Sequence, residues 1–293
     1  MGSISMVDER FELLSLVFRL AGNPNYVAKK TKYQKELAKT FAGHKEHPAV
    51  VCVRGFFNEC GQAFHFAMHL AKEGGSFRLI PAISPVEVSL AAQYPNAVWL
   101  FNRETANAFL PLLNDFYRDT NFGAFFRAHA AFYEKATARF VKKLYGRVDL
   151  EWYRKYEDPA LLRCVFNPSA SYGNYGIPAD GKACAGICLN GTLGTIVHEY
   201  CHPFANPLAE KWYEQDAAFK KLCDGSTGKK SIKAGYSTNG LTMACEYVTR
   251  AYTILYHVQH GRRLSPLLRA EKAIAFPYIE EVYVMITEQN NFT

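Results

Sequence analysis

From Leu193 to Pro207 the chain reads Leu-Gly-Thr-Ile-Val-His-Glu-Tyr-Cys-His-Pro-Phe-Ala-Asn-Pro. His198 and His202 stand four residues apart, and on a helix side chains at that spacing lie on one face, where two imidazoles reach a single metal ion. Apolar Leu193, Ile196 and Val197 precede the first histidine, so one side of the predicted helix is buried and the other carries polar groups. Pro203 follows the second histidine directly. It has no N–H for the carbonyl of Glu199 and disfavours helical geometry at His202, so the helix is expected to kink or end there.

Glu199 directly follows the first imidazole, a placement that sets its carboxylate beside the metal to hold a water without ligating. Two imidazoles and an oxygen donor, with a fourth position left for water, suit zinc. The third ligand is expected downstream, where Glu210, Glu214, Asp216, Asp224 and Glu246 are the candidates. Glu246 is favoured because it interrupts the apolar helical stretch Gly240 to Tyr256, and a carboxylate buried there is costly unless paired or bound to metal. Arg250, one turn further on, is placed to fix that carboxylate. Asn206 is a candidate to orient an imidazole, with a turn beside Pro207 as the simpler role. Tyr236, in the loop before the Glu246 helix, is the expected oxyanion donor, with Tyr172 and Tyr175 as alternatives. Cys201 neighbours His202 on the helix and should point away from the metal. His65 and His69 repeat the four-residue spacing without a following Glu and read as a packed helix.

The remaining sequence predicts an α+β protein, mainly helical, with a small sheet beside the His198–His202 helix. Asp8 is placed to cap a helix through Leu20, and Asn25 to Ala42 is a basic amphipathic stretch. A further helix is expected from about Phe56 through Lys72, stopping at Gly74-Gly75. Residues 104–145 carry helical periodicity broken near Asn121-Phe122-Gly123. At about Leu161 the texture changes. Strands are expected over 161–166 and 183–189, separated by a loop rich in Gly, Ser, Asn and Tyr over 167–178. The second strand is the one expected to offer an edge to a peptide. Helices resume from Thr192, Leu208, Asn239 and Ser265. A helical region over 1–155 and a catalytic region over 156–293 are the expected parts, possible also as one continuous domain.

The net charge of +7 is scattered, with no basic stripe interleaved with aromatics, so nucleic acid is not an expected partner. No apolar run is long enough to span a membrane. Met1 to Met6 lack the regions of a signal peptide and fail the myristoylation pattern; they resemble a cloning scar before a mature start near Val7. The eight cysteines contain no CxxC and leave redox state open.

His198-Glu199-x-x-His202 with Glu246-x-x-x-Arg250-Ala251 resembles the gluzincin branch of the zincin metallopeptidases. Val7-Asp-Glu-Arg-Phe-Glu-Leu-Leu and His-Glu-x-x-His-x-Phe-x-Asn-Pro at 198–207 resemble a bacterial family of unknown function whose members are generally exported. The first likeness implies a zincin-like core and a zinc peptidase acting on a peptide or protein substrate, with Glu199 as general base. The second implies a periplasmic or extracellular location. The alternatives are a catalytically idle zinc- or peptide-binding protein and a zinc amidohydrolase with a non-peptide substrate.

Overall fold

The computed structural model describes residues 6–28, 31–54, 61–79, 103–158, 162–179, 182–230 and 239–290. The chain is mainly helical α+β and divides into two compact units, Met1–Val148 with Leu162–Ile196, and Asp149–Leu161 with Val197–Thr293. The three-stranded sheet falls in the same unit as the N-terminal helices. None of the described helices is long and apolar enough to cross a membrane.

In the first unit, helix α1 (Glu9–Leu20) begins where Asp8 Oδ1 accepts the Arg10 N–H at 3.0 Å, the cap expected from the sequence. Every residue from Phe11 to Leu20 is buried, so the helix is enclosed on all sides. Helices α2 (Pro24–Val27), α3 (Lys32–Thr40), α4 (Pro48–Arg54) and α5 (Gly61–Met68) pack around it. Polar groups on α1 are met by specific partners. Glu12 accepts from Tyr33 Oη at 2.5 Å and from Ser169 Oγ at 3.1 Å, and Arg19 Nη2 donates to the Ser169 carbonyl at 2.8 Å.

The expected helix through Lys72 ends at Met68 instead. Leu70–Glu73 (β1) and Ser76–Leu79 (β2) pair as an antiparallel hairpin about Gly74-Gly75. Gly74 has φ +59°, the left-handed conformation that a two-residue hairpin turn demands, and Gly-Gly serves that turn as readily as it stops a helix. Asn114, on helix α6 (Arg103–Asp119), secures the hairpin: its Oδ1 accepts the Phe77 N–H at 2.7 Å and its Nδ2 donates to the Phe77 carbonyl at 2.9 Å. Helices α7 (Phe122–Ala128) and α8 (Ala130–Lys143) follow, and the expected break between α6 and α7 lies at Asn121, with φ +50°.

Strands β3 (Leu162–Asn167), β4 (Tyr175–Ala179) and β5 (Lys182–Cys188) form the sheet in the order β3-β5-β4, with β3 parallel and β4 antiparallel to β5. The expected strand β5 is thus central, not an edge: its backbone is paired on both sides, and a peptide cannot add to it. Strand β4 occupies the last part of the predicted loop and runs one residue beyond it; Gly176 and Pro178 disguised it, and proline is tolerated at a sheet edge because it lacks only a donor. Gly186 of β5 faces the Phe64 ring so closely that a Cβ would fall 1.8 Å from its edge. On the outer side of β3, the Phe166 N–H donates to the Met6 carbonyl at 2.9 Å, and Met6 itself is buried.

The second unit contains a 3-10 turn at Glu151–Lys155, most of helix α9 (Leu193–Gln215), α10 (Ala217–Gly225), α11 (Gly240–Gln259), α12 (Leu264–Ile274) and α13 (Ile279–Asn290). Helix α11 is its centre: α10, α12 and α13 all pack against it, and Met243, Ala244, Tyr247, Val248 and Ala251 are fully enclosed.

Candidate metal centre

Helix α9 opens with a reciprocal cap. Thr192 Oγ1 accepts the Thr195 N–H at 3.1 Å and Thr195 Oγ1 accepts the Thr192 N–H at 3.0 Å, which satisfies two donors of the first turn. Ile196, Val197, Tyr200, Cys201, Ala205 and Ala209 form its fully buried stripe. His198 and His202 fall on the adjoining face, as the spacing requires. The buried hydroxyl of Tyr153 donates to the Val197 carbonyl at 3.1 Å and pins the helix one residue before the first imidazole.

The helix does not end at Pro203. It continues through Pro203 and Pro207 to Gln215, so the separate helix expected from Leu208 is the same one. Each proline removes one i→i−4 donor, from the carbonyls of Glu199 and Pro203 respectively. The two prolines are themselves four apart, so both losses fall on one line of the helix and the other lines are left intact.

Helix α11 is capped by Asn239 Oδ1, which accepts from the Leu241 N–H at 2.8 Å. It brings Glu246 to the two imidazoles. Glu246 Oε2 lies 3.7 Å from His198 Nε2, and Glu246 Oε1 lies 3.7 Å from His202 Nε2. The imidazole rings are 4.8 Å apart at 85° to each other. Glu199 is the most enclosed of these groups, with its Oε2 3.8 Å from His202 Nε2. His198, Glu199 and His202 each offer one ligand atom, and these three atoms lie within 4.8 Å of one another, a group that could hold a metal ion. Two carboxylates therefore reach the imidazoles, and Glu246 presents a separate oxygen to each ring at one distance.

The imidazoles are prepared as donors. Burial holds His198 well below the ordinary imidazole range, and the neighbouring His202 and the Arg250 charge add to the effect, so the ring is neutral with a lone pair to offer. His202 Nδ1 is 3.1 Å from Asn206 Oδ1 and 3.2 Å from Thr249 Oγ1. With Nδ1–H donating to Asn206, the tautomer leaves the Nε2 lone pair facing Glu246 and Glu199. Asn206 is thus in the orienting role that the sequence offered second to a simple turn.

Arg250 fixes Glu246 as expected: Nε is 3.2 Å and Nη2 is 3.1 Å from Oε2. Its Nη1 donates to Glu271 Oε2 at 2.6 Å, and its guanidinium carbon sits 4.3 Å from the centre of the Phe276 ring. Thr249 and Glu271 went unrecognised in the sequence. Thr249 carried a usable signal, three residues after Glu246 on one helix; Glu271 carried none, because only tertiary packing brings α12 to Arg250.

The other candidates are placed elsewhere. Glu210, Glu214 and Asp224 are exposed, Asp216 caps α10, and Asp224 accepts from Lys220 and Tyr213. Cys201 lies in the buried stripe, and burial raises its thiol far above the ordinary range. Tyr236 lies outside the described residues, as does the side chain of His65. Tyr172 is exposed, and Tyr175 opens β4 with its ring 6.4 Å from that of Phe64.

No family model, curated protein or solved structure matches the chain.

Proposed function

We propose that the protein is a zinc-dependent hydrolase acting on peptides, with His198, His202 and Glu246 as metal ligands and Glu199 as general base. The observation that carries this reading is the relation of Glu246 to the imidazoles, one oxygen to each Nε2 at 3.7 Å, with both rings on one helical face. Two imidazoles and one carboxylate are a donor set that suits zinc and leaves a position for water. Bound there, zinc supplies a Lewis acid that activates water and polarises a carbonyl. Glu199 has no part in holding the ion in this assignment. Its enclosed carboxylate takes the proton from the attacking water at Oε2 and hands it to the leaving amine. Arg250 and Asn206 keep Glu246 and His202 in their orientations throughout. The choice of a peptide substrate rests on the resemblance to the gluzincins, and an exported location on the separate resemblance to the bacterial family.

A peptide-library digest with zinc-loaded protein and with Glu199→Gln tests the reading. Cleavage by the wild type and none by Glu199→Gln is expected. Zinc binding without cleavage would favour the idle binding protein, and turnover confined to non-peptide amides would favour the amidohydrolase.

A further inference from the structure

We infer that Glu271 is a positioning residue of the metal centre, setting how much negative charge Glu246 offers to an ion although it touches neither the ion's ligands nor a substrate. The inference rests on the metal-site reading above.

Arg250 creates an electrostatic problem for any cation bound by Glu246. Two of its guanidinium nitrogens address the single oxygen Oε2, at 3.2 and 3.1 Å. A fixed positive charge so close draws electron density from the carboxylate and repels a second cation on its other side. The Arg250 and Glu246 side chains are only 12% and 16% exposed, so water does little to screen that effect. Glu271 answers it. Its Oε2 accepts from Arg250 Nη1 at 2.6 Å, and it supplies a second negative charge, one more than the single guanidinium balances. Two carboxylates then share one Arg, and Glu246 keeps charge for the ion.

The geometry around Glu271 is fixed by more than this ion pair. It stands in the last turn of α12, and its backbone carbonyl accepts the N–H groups of Ala275 at 3.3 Å and Phe276 at 3.1 Å. That turn places the fully buried Phe276 ring against the guanidinium face, 4.3 Å from its carbon. One residue thus sets the in-plane partner of Arg250 through its side chain and the stacking partner through its backbone.

The two roles open to Glu271, charge and shape, separate in opposite substitutions. Glu271→Gln keeps the shape and an acceptor for Arg250 but removes the charge; Glu271→Asp keeps the charge and shortens the arm. Zinc affinity is measured by competition with a chromophoric chelator at constant pH, without reference to hydrolysis. Glu271→Gln is expected to bind zinc about 10-fold more weakly, the range for groups behind a metal ligand. Glu271→Asp is expected to stay within about 3-fold of wild type. The double variant Arg250→Gln/Glu271→Gln, which removes the unbalanced cation, should bind more tightly than Glu271→Gln alone. Equal affinity of Glu271→Gln and wild type would overturn the inference, as would a larger loss in Glu271→Asp than in Glu271→Gln, or a double variant no tighter than the single. A wild type that binds no zinc would overturn the metal-site reading along with it; equal zinc binding by all four proteins would overturn this inference alone.

Discussion

Glu246 and Arg250 sit one helical turn apart with both near guanidinium nitrogens on a single carboxylate oxygen, Oε2, at 3.2 and 3.1 Å. The other oxygen, Oε1, faces His202 Nε2 at 3.7 Å. An i, i+4 ion pair on an exposed helix contributes a few tenths of a kcal/mol. Here the pair is enclosed and aimed at two imidazoles, and its consequence is orientation more than stability.

The two carboxylates should separate cleanly by substitution. Glu246→Ala removes a proposed ligand and is expected to weaken zinc binding by more than about 100-fold, beyond the range for outer partners. Glu199→Gln should hold zinc within about 3-fold of wild type while losing hydrolysis, since its proposed role is proton transfer. Dialysis against chelator followed by elemental analysis distinguishes them. Zinc lost equally from both variants would make Glu199 a ligand.

Behind His202, Asn206→Ala is expected to lower zinc affinity about 10-fold by releasing the Nδ1–H that fixes the tautomer. Asn206→Asp, which keeps the acceptor, should retain most of it. Isothermal titration of the two variants provides the comparison; equal losses would point to helix packing rather than to the hydrogen bond.

How much of this was legible in the sequence differs by element. The cap at Asp8, the interruption at Asn121 and the His198–His202 face follow from local rules of periodicity and capping, and the structure has them where those rules place them. Gly74-Gly75 is ambiguous locally, because a helix stop and a hairpin turn ask for the same residue; pairing with Ser76–Leu79 and the grip of Asn114 on Phe77 decide between them. The same is true of β4, whose Gly176 and Pro178 look like a loop until β5 lies alongside. The helix across Pro203 and Pro207 shows packing overriding a local penalty. Glu271 belongs to a third kind: its relation to Arg250 exists only in the fold.

The acid group inside the first unit gives a pH prediction independent of the metal. Glu12 is fully buried, and burial raises its carboxyl to about 7 against the hydrogen bonds from Tyr33 and Ser169 and the charge of Arg19, which pull it down. A carboxyl raised on folding stabilises the fold fully below its unfolded pKa of about 4.3, and this contribution disappears as pH rises through the folded value. Between about pH 4.3 and 7 the stability from this group should therefore fall, by roughly 4 kcal/mol in total. Chemical denaturation at several pH values measures it. Glu12→Gln should flatten that slope; an unchanged slope would assign it to other groups.

Cys201 is expected to be a packing residue. Its buried thiol is held far above the ordinary range and lies on the stripe with Val197 and Tyr200. Cys201→Ala should leave hydrolysis within about 3-fold of wild type and cost about 1 kcal/mol of stability, the scale for removing a small buried group. Abolished turnover in a folded Cys201→Ala protein would restore a chemical role.

The proposed metal centre requires an ion between His198, His202 and Glu246, so the most direct measurement is the zinc content of the wild-type protein after zinc is supplied and excess removed. One zinc per chain, lost in Glu246→Ala and in His202→Ala, is the expected result. A wild-type chain that takes up no zinc would contradict the assignment of these residues as a metal centre.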